Sequence, residues 1–208
     1  MPKFIQKEIT YKFTVPTPKE LFEKFKEKCE QTSFPEWYEA RKEWTDTVMK
    51  IFDEIGHEYG YRPRYKRGGE EGLLMDQVWE IRLENYSAMV LAMEVENDYD
   101  LDEILEDELS KLINVKAYLK VLMFYPDRHV RCENDEPIFK HIKEIVKSSE
   151  FRINASIETE KFNSTENYII ITGTYNKKEC NMKICARVID ACAKSEILGK
   201  FEIPCTLI

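Results

Sequence analysis

The alternation of hydrophobic and polar positions predicts helices and strands in a mixed order over the first half of the chain. A β-like alternation covers residues 3–14, and a capping box that begins at Thr17 and includes Pro18 and Glu20 predicts a helix to about Cys29. A second capping signal at residues 33–36 precedes an apolar stripe at helical spacing, which indicates a helix ending near Gly56 or Gly60. Three strands are predicted next, at about residues 61–67, 73–83 and 88–97. The third is apolar on both faces, as in a central strand.

The second half continues this mixture. One apolar stripe predicts a helix over residues 101–113, followed by a buried strand at 119–125 and a helix at 137–148. Strands are predicted at 151–158 and 168–174. Residues 181–191 fit a helix and a strand about equally, and their β-branched side chains favour a strand paired with 197–203. The sequence thus predicts an α/β core with N-terminal additions in residues 1–150 and a β-rich extension of the same compact domain in 151–208.

Composition and charge narrow the classes of function. The chain has 208 residues and a formal charge of −8, so nucleic-acid binding would need a local basic patch or bridging cations. The longest apolar run, residues 88–93, is too short to span a bilayer. The N-terminal residues contain no apolar secretory core, and we therefore expect a cytoplasmic protein without membrane contact.

Carboxylates gather where the third predicted strand ends. Glu94 and Glu96 project from the same face of that strand, with Cα atoms about 6–7 Å apart. Asp76 reaches the same point if the preceding strand pairs with it in an antiparallel manner. Adjacent carboxylates repel each other, and either a bound hard cation or a raised pKa on one of them relieves that repulsion. Three such groups would make a Mg²⁺ site.

In the order of its elements and the spacing of its acids, the segment 36–126 resembles the PD-(D/E)xK nuclease superfamily. The resemblance implies a restriction-endonuclease-like core and a Mg²⁺ ion, replaceable by Mn²⁺, bound by Asp76 and Glu94, with the Val95 carbonyl as a further ligand. Met75 stands where the family has proline, and Glu96 stands where it has lysine. In the E-x-E variant of the family, Glu96 would orient the attacking water or hold a second metal. The same substitution is also compatible with an inactivated copy.

Two helices offer further candidate residues. Lys111 could replace the missing positive charge, and two readings stay open: a surface ion pair between Glu108 and Lys111, or both side chains pointing to the site. The family often donates a glutamate from the helix before the strands. Glu58 would fill that role, or Glu54 if the helix stops at Gly56, and the alternative for both is a solvent-facing position.

A basic segment follows that helix. Arg62, Arg64 and Lys66 share one face of the first strand of the three, which suits contacts with nucleic-acid phosphates. The alternative is an edge strand that its charges protect from aggregation.

The favoured hypothesis is a metal-dependent endonuclease, a Mg²⁺-dependent phosphodiester hydrolase that acts on DNA. One rival is a catalytically inactive binding or scaffold module with the same fold. Another is an acidic mimic of DNA, because nine of the fifteen residues at 94–108 are acidic. Residues 151–208 are compatible with a homodimer interface, a clamp on nucleic acid, or completion of the sheet.

Overall fold

The computed structural model describes residues 14–65, 75–82, 87–97, 100–125, 136–156, 166–190 and 194–206. These residues form a mixed α/β protein in which an eight-stranded sheet carries helices on both faces. The strand order is β1-β8-β7-β6-β5-β4-β3-β2, so that strands consecutive in sequence are neighbours from β2 to β8. Among the described residues, no helix is long and apolar enough to cross a membrane.

The bounds of the elements follow chain order. The N-terminal half contains α1 (Pro18–Glu30), β1 (Phe34–Pro35), α2 (Arg41–Glu58), β2 (Arg62–Tyr65), β3 (Gln77–Arg82) and β4 (Ser87–Glu96). A helix in three parts comes next: α3 (Leu101–Glu103), a π-helical turn (Ile104–Glu108) and α4 (Leu109–Asn114). The remaining elements are β5 (Leu119–Phe124), α5 (Glu136–Ser156), β6 (Asn167–Asn176), β7 (Asn181–Asp190) and β8 (Ser195–Thr206).

The sheet is antiparallel at both ends and parallel in the middle. β2, β3 and β4 form an antiparallel meander, and β6, β7 and β8 form another. β4, β5 and β6 run parallel, and the helices α3–α4 and α5 make the two crossovers between them. The carboxyl ends of β4, β5 and β6 therefore meet at one edge of the sheet, where β3 begins.

Two apolar cores lie on opposite faces of the sheet. Helices α1 and α2 cover the first face, where Met93 and Val95 of β4 pack against them. The second face carries Val78 and Ala92 under the apolar stripe of α3–α4 and under α5. Since side chains alternate along a strand, Glu94 follows Ala92 onto this second face.

One of the two capping signals in the N-terminal region marks the start of a helix, and the other does not. The capping box at Thr17 forms and begins α1, as predicted. The second signal, at residues 33–36, was wrong, because α2 begins only at Arg41 and Phe34–Pro35 pairs with the end of β8 instead. Proline is tolerated in such a short edge strand, where its missing N–H has no partner to serve.

The C-terminal third contains one further correction. The strand predicted at 151–158 is wrong for residues 151–156, which belong to α5. The strands predicted at 168–174, 181–191 and 197–203 are confirmed as β6, β7 and β8, and β7 pairs with β8. The division at residue 150 thus falls inside a helix, and β6–β8 extend the same sheet. The strand predicted at 3–14 falls on residues outside the described ones, except for its last.

Candidate functional site

An acid pair lies at the sheet edge where β3 begins and β4 ends. The register that places Val78 opposite Ala92 brings Asp76, just before β3, beside Glu94. The Asp76 Oδ2 atom accepts a hydrogen bond from the Val95 backbone N at 2.9 Å. The Asp76 and Glu94 carboxyl groups lie close enough for each to affect the ionisation of the other. The sequence-based expectation that both acids would reach the same point is therefore met.

Glu94 is the buried member of the pair. Its side chain is 2 % exposed, and its Oε1 atom has no hydrogen-bond partner among the described residues. Burial raises the pKa of Glu94 well above its usual range, and the negative charge of Asp76 raises it further. A proton on one of the two groups, or a bound cation, would relieve the repulsion between carboxylates this close.

Lys111 brings a positive charge to the same place. Its Nζ atom donates to both carboxylate oxygens of Glu108, at 2.6 and 2.8 Å. Burial lowers the pKa of Lys111, but the Glu108 hydrogen bond and the negative charges of Glu94, Glu108 and Asp76 outweigh that effect and raise it. The ion pair that the sequence left as one alternative is thus formed, and it lies within electrostatic reach of the acid pair.

The π-helical turn carries Glu108 and leads directly into α4, which carries Lys111. Leu109 N donates to Ile104 O, one residue further back than in an α-helix. The turn therefore holds an extra residue, and the two sides of the helix have different phases. Ile104 and Leu105 before the break, and Leu109 and Leu112 after it, all remain buried on the sheet. Single-turn π segments occur frequently at functional sites.

Glu96 lies on the same face but does not complete a ligand cluster. Its Oε1 atom accepts from Asn97 N at 2.6 Å. Among the described residues, no group of three or more His, Cys, Asp or Glu side chains is arranged to hold a metal ion. The structure therefore brings Asp76 and Glu94 together and does not form the predicted cluster of three carboxylates.

Beside the acid pair is a small acidic pocket of about 60 Å³, lined by Glu96, Glu103, Ile104, Asp107 and Glu108. Sequence analysis did not single out Glu103 or Asp107 as site residues. The signal that could have found them is the acidic run at 94–108, which was read as a feature of a DNA mimic rather than as a pocket wall.

Glu58 does not contribute to this site. Its carboxylate pairs with the Nζ atoms of Lys24 and Lys28 on α1, both at 2.7 Å, and Glu54 pairs with Lys28 at 3.2 Å. Thr45 of α2 lies at the end of β4, because it accepts a hydrogen bond from Asn97 at 2.5 Å. Glu58 is 13 residues further along the helix, or about 20 Å. The family-based placement of Glu58, and of Glu54 as its fallback, is therefore wrong.

The two described arginines of the basic strand β2 lie on one face of it. Arg64 is opposite Val78 and Arg62 opposite Glu80, so both arginines share the face of Asp76 and Glu94. Both are exposed, and the Arg64 Nη1 atom is 3.3 Å from a carboxylate oxygen of Glu80. Lys66 lies outside the described residues.

In comparisons with known proteins, no family model matches the chain and no curated sequence shows significant similarity to it.

Proposed function

We propose that this protein is a Mg²⁺-dependent phosphodiester hydrolase that acts on DNA and has a restriction-endonuclease-like core at residues 36–126. The element order supports the proposal: α2, the meander β2–β4, the helix α3–α4 and the parallel strand β5. The observation that carries it is the close approach of Asp76 and Glu94 at a strand end, in surroundings where one of them is almost fully buried.

The donor set fits a magnesium ion. Mg²⁺ usually keeps several waters and is bound by one or two carboxylates together with substrate phosphates, so a third acidic ligand is not required. Asp76, Glu94 and the Val95 carbonyl would hold the ion, and the unpartnered Oε1 of Glu94 is an acceptor that a cation would satisfy. Once bound, Mg²⁺ or Mn²⁺ would lower the pKa of a water ligand and neutralise charge on the phosphate.

The neighbouring side chains have separate roles in the proposal. Glu96, in the acidic pocket beside the pair, would accept a hydrogen bond from the attacking water and orient it. Lys111 would stabilise negative charge on the phosphate, as the family's lysine does from its usual position. Arg62 and Arg64 on the exposed edge strand would contact backbone phosphates and so compensate locally for the acidic net charge.

Cleavage of supercoiled plasmid tests the proposal. With Mg²⁺ or Mn²⁺ the purified protein should nick the plasmid, and the double variant Asp76→Ala/Glu94→Ala should not. Glu106→Ala is a matched control, because Glu106 is an exposed acid in the π-helical turn that does not line the pocket. Equal nicking by the wild-type protein and the double variant would contradict the proposal.

A second candidate function is a catalytically inactive binding module with the same fold. Two observations favour it: Glu96 takes the place of the family's lysine, and the described residues contain no group of three metal ligands. Such a module has no need to bind a divalent ion at the acid pair. Calorimetric titration with Mn²⁺ separates the two candidates, since only the hydrolase requires binding that depends on Asp76 and Glu94.

A further inference from the structure

Two cysteines face each other at the edge of the sheet where β7 begins and β8 ends. The pairing of Asn181 with Pro204 continues by one more step, at which Cys205 N donates to Cys180 O at 2.8 Å. The Cys180 thiol also donates to the Cys205 carbonyl oxygen at 3.2 Å. Both are free cysteines, and both are half-buried. They therefore form a cross-strand pair of thiols within reach of solvent.

The backbone spacing of such a pair suits a disulfide. Opposed residues of antiparallel strands have Cα atoms about 4.5–5.5 Å apart, and disulfides join Cα atoms about 4.4–6.8 Å apart. Cys180 has φ of +48°, the left-handed conformation that glycine or asparagine usually adopts. Cysteine is uncommon in that conformation, and sparsely populated backbone conformations occur often at functional positions.

The two sulfurs have different surroundings. Burial raises the pKa of the Cys205 thiol to about 12, and the charges of Cys180 and Glu36 add to the effect. Cys180 ends the turn at residues 177–180, and its sulfur is 3.5 Å from the Tyr175 hydroxyl, which can donate to it. A raised pKa makes the Cys205 thiol a poor nucleophile at neutral pH, which suits it to the second of two reactions rather than the first.

We propose that Cys180 and Cys205 are a redox modification site that hydrogen peroxide converts to a reversible disulfide. The Cys180 thiolate attacks one peroxide oxygen, the O–O bond breaks, and Cys180 sulfenic acid and hydroxide form. The Cys205 sulfur then attacks the sulfenic sulfur. The S–S bond forms, the S–O bond breaks, and the thiol proton leaves with the hydroxyl group as water. Overall, two thiols lose two electrons to one peroxide, which yields two waters.

The disulfide would cross-link the sheet near the edge that β1 forms. Cys205 is also the residue opposite Phe34, so the disulfide would connect the β6–β7 turn to the strand on which β1 is paired. Cross-linking residues 180 and 205 restricts the unfolded chain, and the melting temperature should rise by about 5 °C. This inference does not depend on the hydrolase proposal.

Peptide mapping after peroxide treatment tests the inference. Trypsin separates the four C-terminal cysteines, because Lys178, Lys183, Arg187, Lys194 and Lys200 lie between or beside them. The result expected is one linked pair of peptides, residues 179–183 with 201–208, that thiol reductant separates again. The variant Cys132→Ser/Cys192→Ser removes the two cysteines outside the described residues and should give the same link.

Single variants provide the controls. Cys180→Ser and Cys205→Ser should each abolish the link and the rise in melting temperature. Cys29 and Cys185, which are 1 % exposed, should stay reduced under the same treatment. Peroxide-treated protein in which Cys180 and Cys205 remain unlinked, or in which Cys180 pairs instead with Cys132 or Cys192, would overturn the inference.

Discussion

Along one face of β4, Ala92 is followed by Glu94, so a carboxyl group takes a position that packing alone would give to an apolar side chain. Burying a carboxylate is unfavourable, and the adjacent Asp76 makes it more so. Both effects disfavour the charged form of Glu94, and its pKa is raised for that reason. A residue that destabilises the fold in its charged form indicates a role other than stability, and cation binding is the role we assign to it.

The stability of the protein should therefore depend on the charge of Glu94. A carboxyl group whose pKa is raised by folding contributes stability that is complete below its unfolded value, near 4.5, and is lost as the pH rises towards the folded value. Glu94→Gln keeps the shape, can donate to Asp76 and cannot ionise. At pH 8 it should raise the free energy of unfolding by about 1–3 kcal/mol.

Urea denaturation of both proteins from pH 5 to pH 9 measures this effect. The advantage of Glu94→Gln should grow with pH and vanish near pH 5, while Glu106→Gln, an exposed control, should show no such trend. If Glu94→Gln were less stable than the wild-type protein at every pH, Glu94 would be a carboxylate in the folded protein, and this prediction would be wrong.

Lys111 should affect cleavage and metal binding in opposite directions. Removal of its ammonium group leaves Glu108 unneutralised near Asp76 and Glu94, so Lys111→Ala should bind Mn²⁺ about two- to tenfold more tightly. Loss of a charge that stabilises the phosphate should lower the cleavage rate by about 100-fold. Calorimetry and plasmid nicking measure the two effects, with Lys19→Ala on α1 as a remote control. A fall in cleavage that followed weaker Mn²⁺ binding would exclude the role given to Lys111.

Among the helices and strands, local sequence signals were reliable where one physical rule decides the outcome. The Thr17 capping box and the apolar run of β4 each depend on near neighbours, and both predictions are confirmed. The late start of α2 depends on the pairing of Phe34 with Cys205, which no local pattern reveals. The π-helical turn was equally hidden, because an analysis at 3.6 residues per turn assigns one phase to the whole helix.

The contact of α2 with the sheet depends on a glycine inside the helix. A Cβ atom at Gly56 would lie 2.7 Å from the Pro63 ring and 2.8 Å from Trp79 Nε1. Gly56→Ala should therefore push α2 from β2 and β3 and cost about 1–3 kcal/mol of unfolding free energy, although alanine favours helices. Gly60→Asn is the matched change, because Gly60 has open space and φ of +79°, which asparagine tolerates. Thermal denaturation in which Gly56→Ala was as stable as the wild-type protein would contradict this packing.

The candidate site depends on the whole sheet rather than on one segment of the chain. The sequence predicted the meander and the meeting of Asp76 with Glu94, because strand alternation and antiparallel pairing suffice for both. It misplaced Glu58, because the pairing of that carboxylate with Lys24 and Lys28 depends on how α1 packs on α2. Contacts between distant segments are the part that periodicity does not encode.

The C-terminal strands should be indispensable for folding. β6 pairs with β5 over the whole length of β5, and its residues Ile169, Ile170 and Ile171 are buried in the two cores. A chain ending at residue 165 would leave β5 as a long apolar edge, so it should be unfolded or aggregated. Circular dichroism and size-exclusion chromatography test this prediction. A truncated chain that stayed folded and monomeric would mean that β6–β8 are an appended unit.

Cation binding at the acid pair is tested by calorimetric titration of the metal-free protein with Mn²⁺, compared with Asp76→Asn and Glu94→Gln. Both substitutions preserve side-chain size and remove only a carboxylate, so they separate ligation from folding. The account predicts one saturable site in the wild-type protein, weakened at least tenfold in each variant and unchanged in Glu106→Gln. Absence of saturable binding in the wild-type protein, or equal affinity in all four proteins, would contradict it.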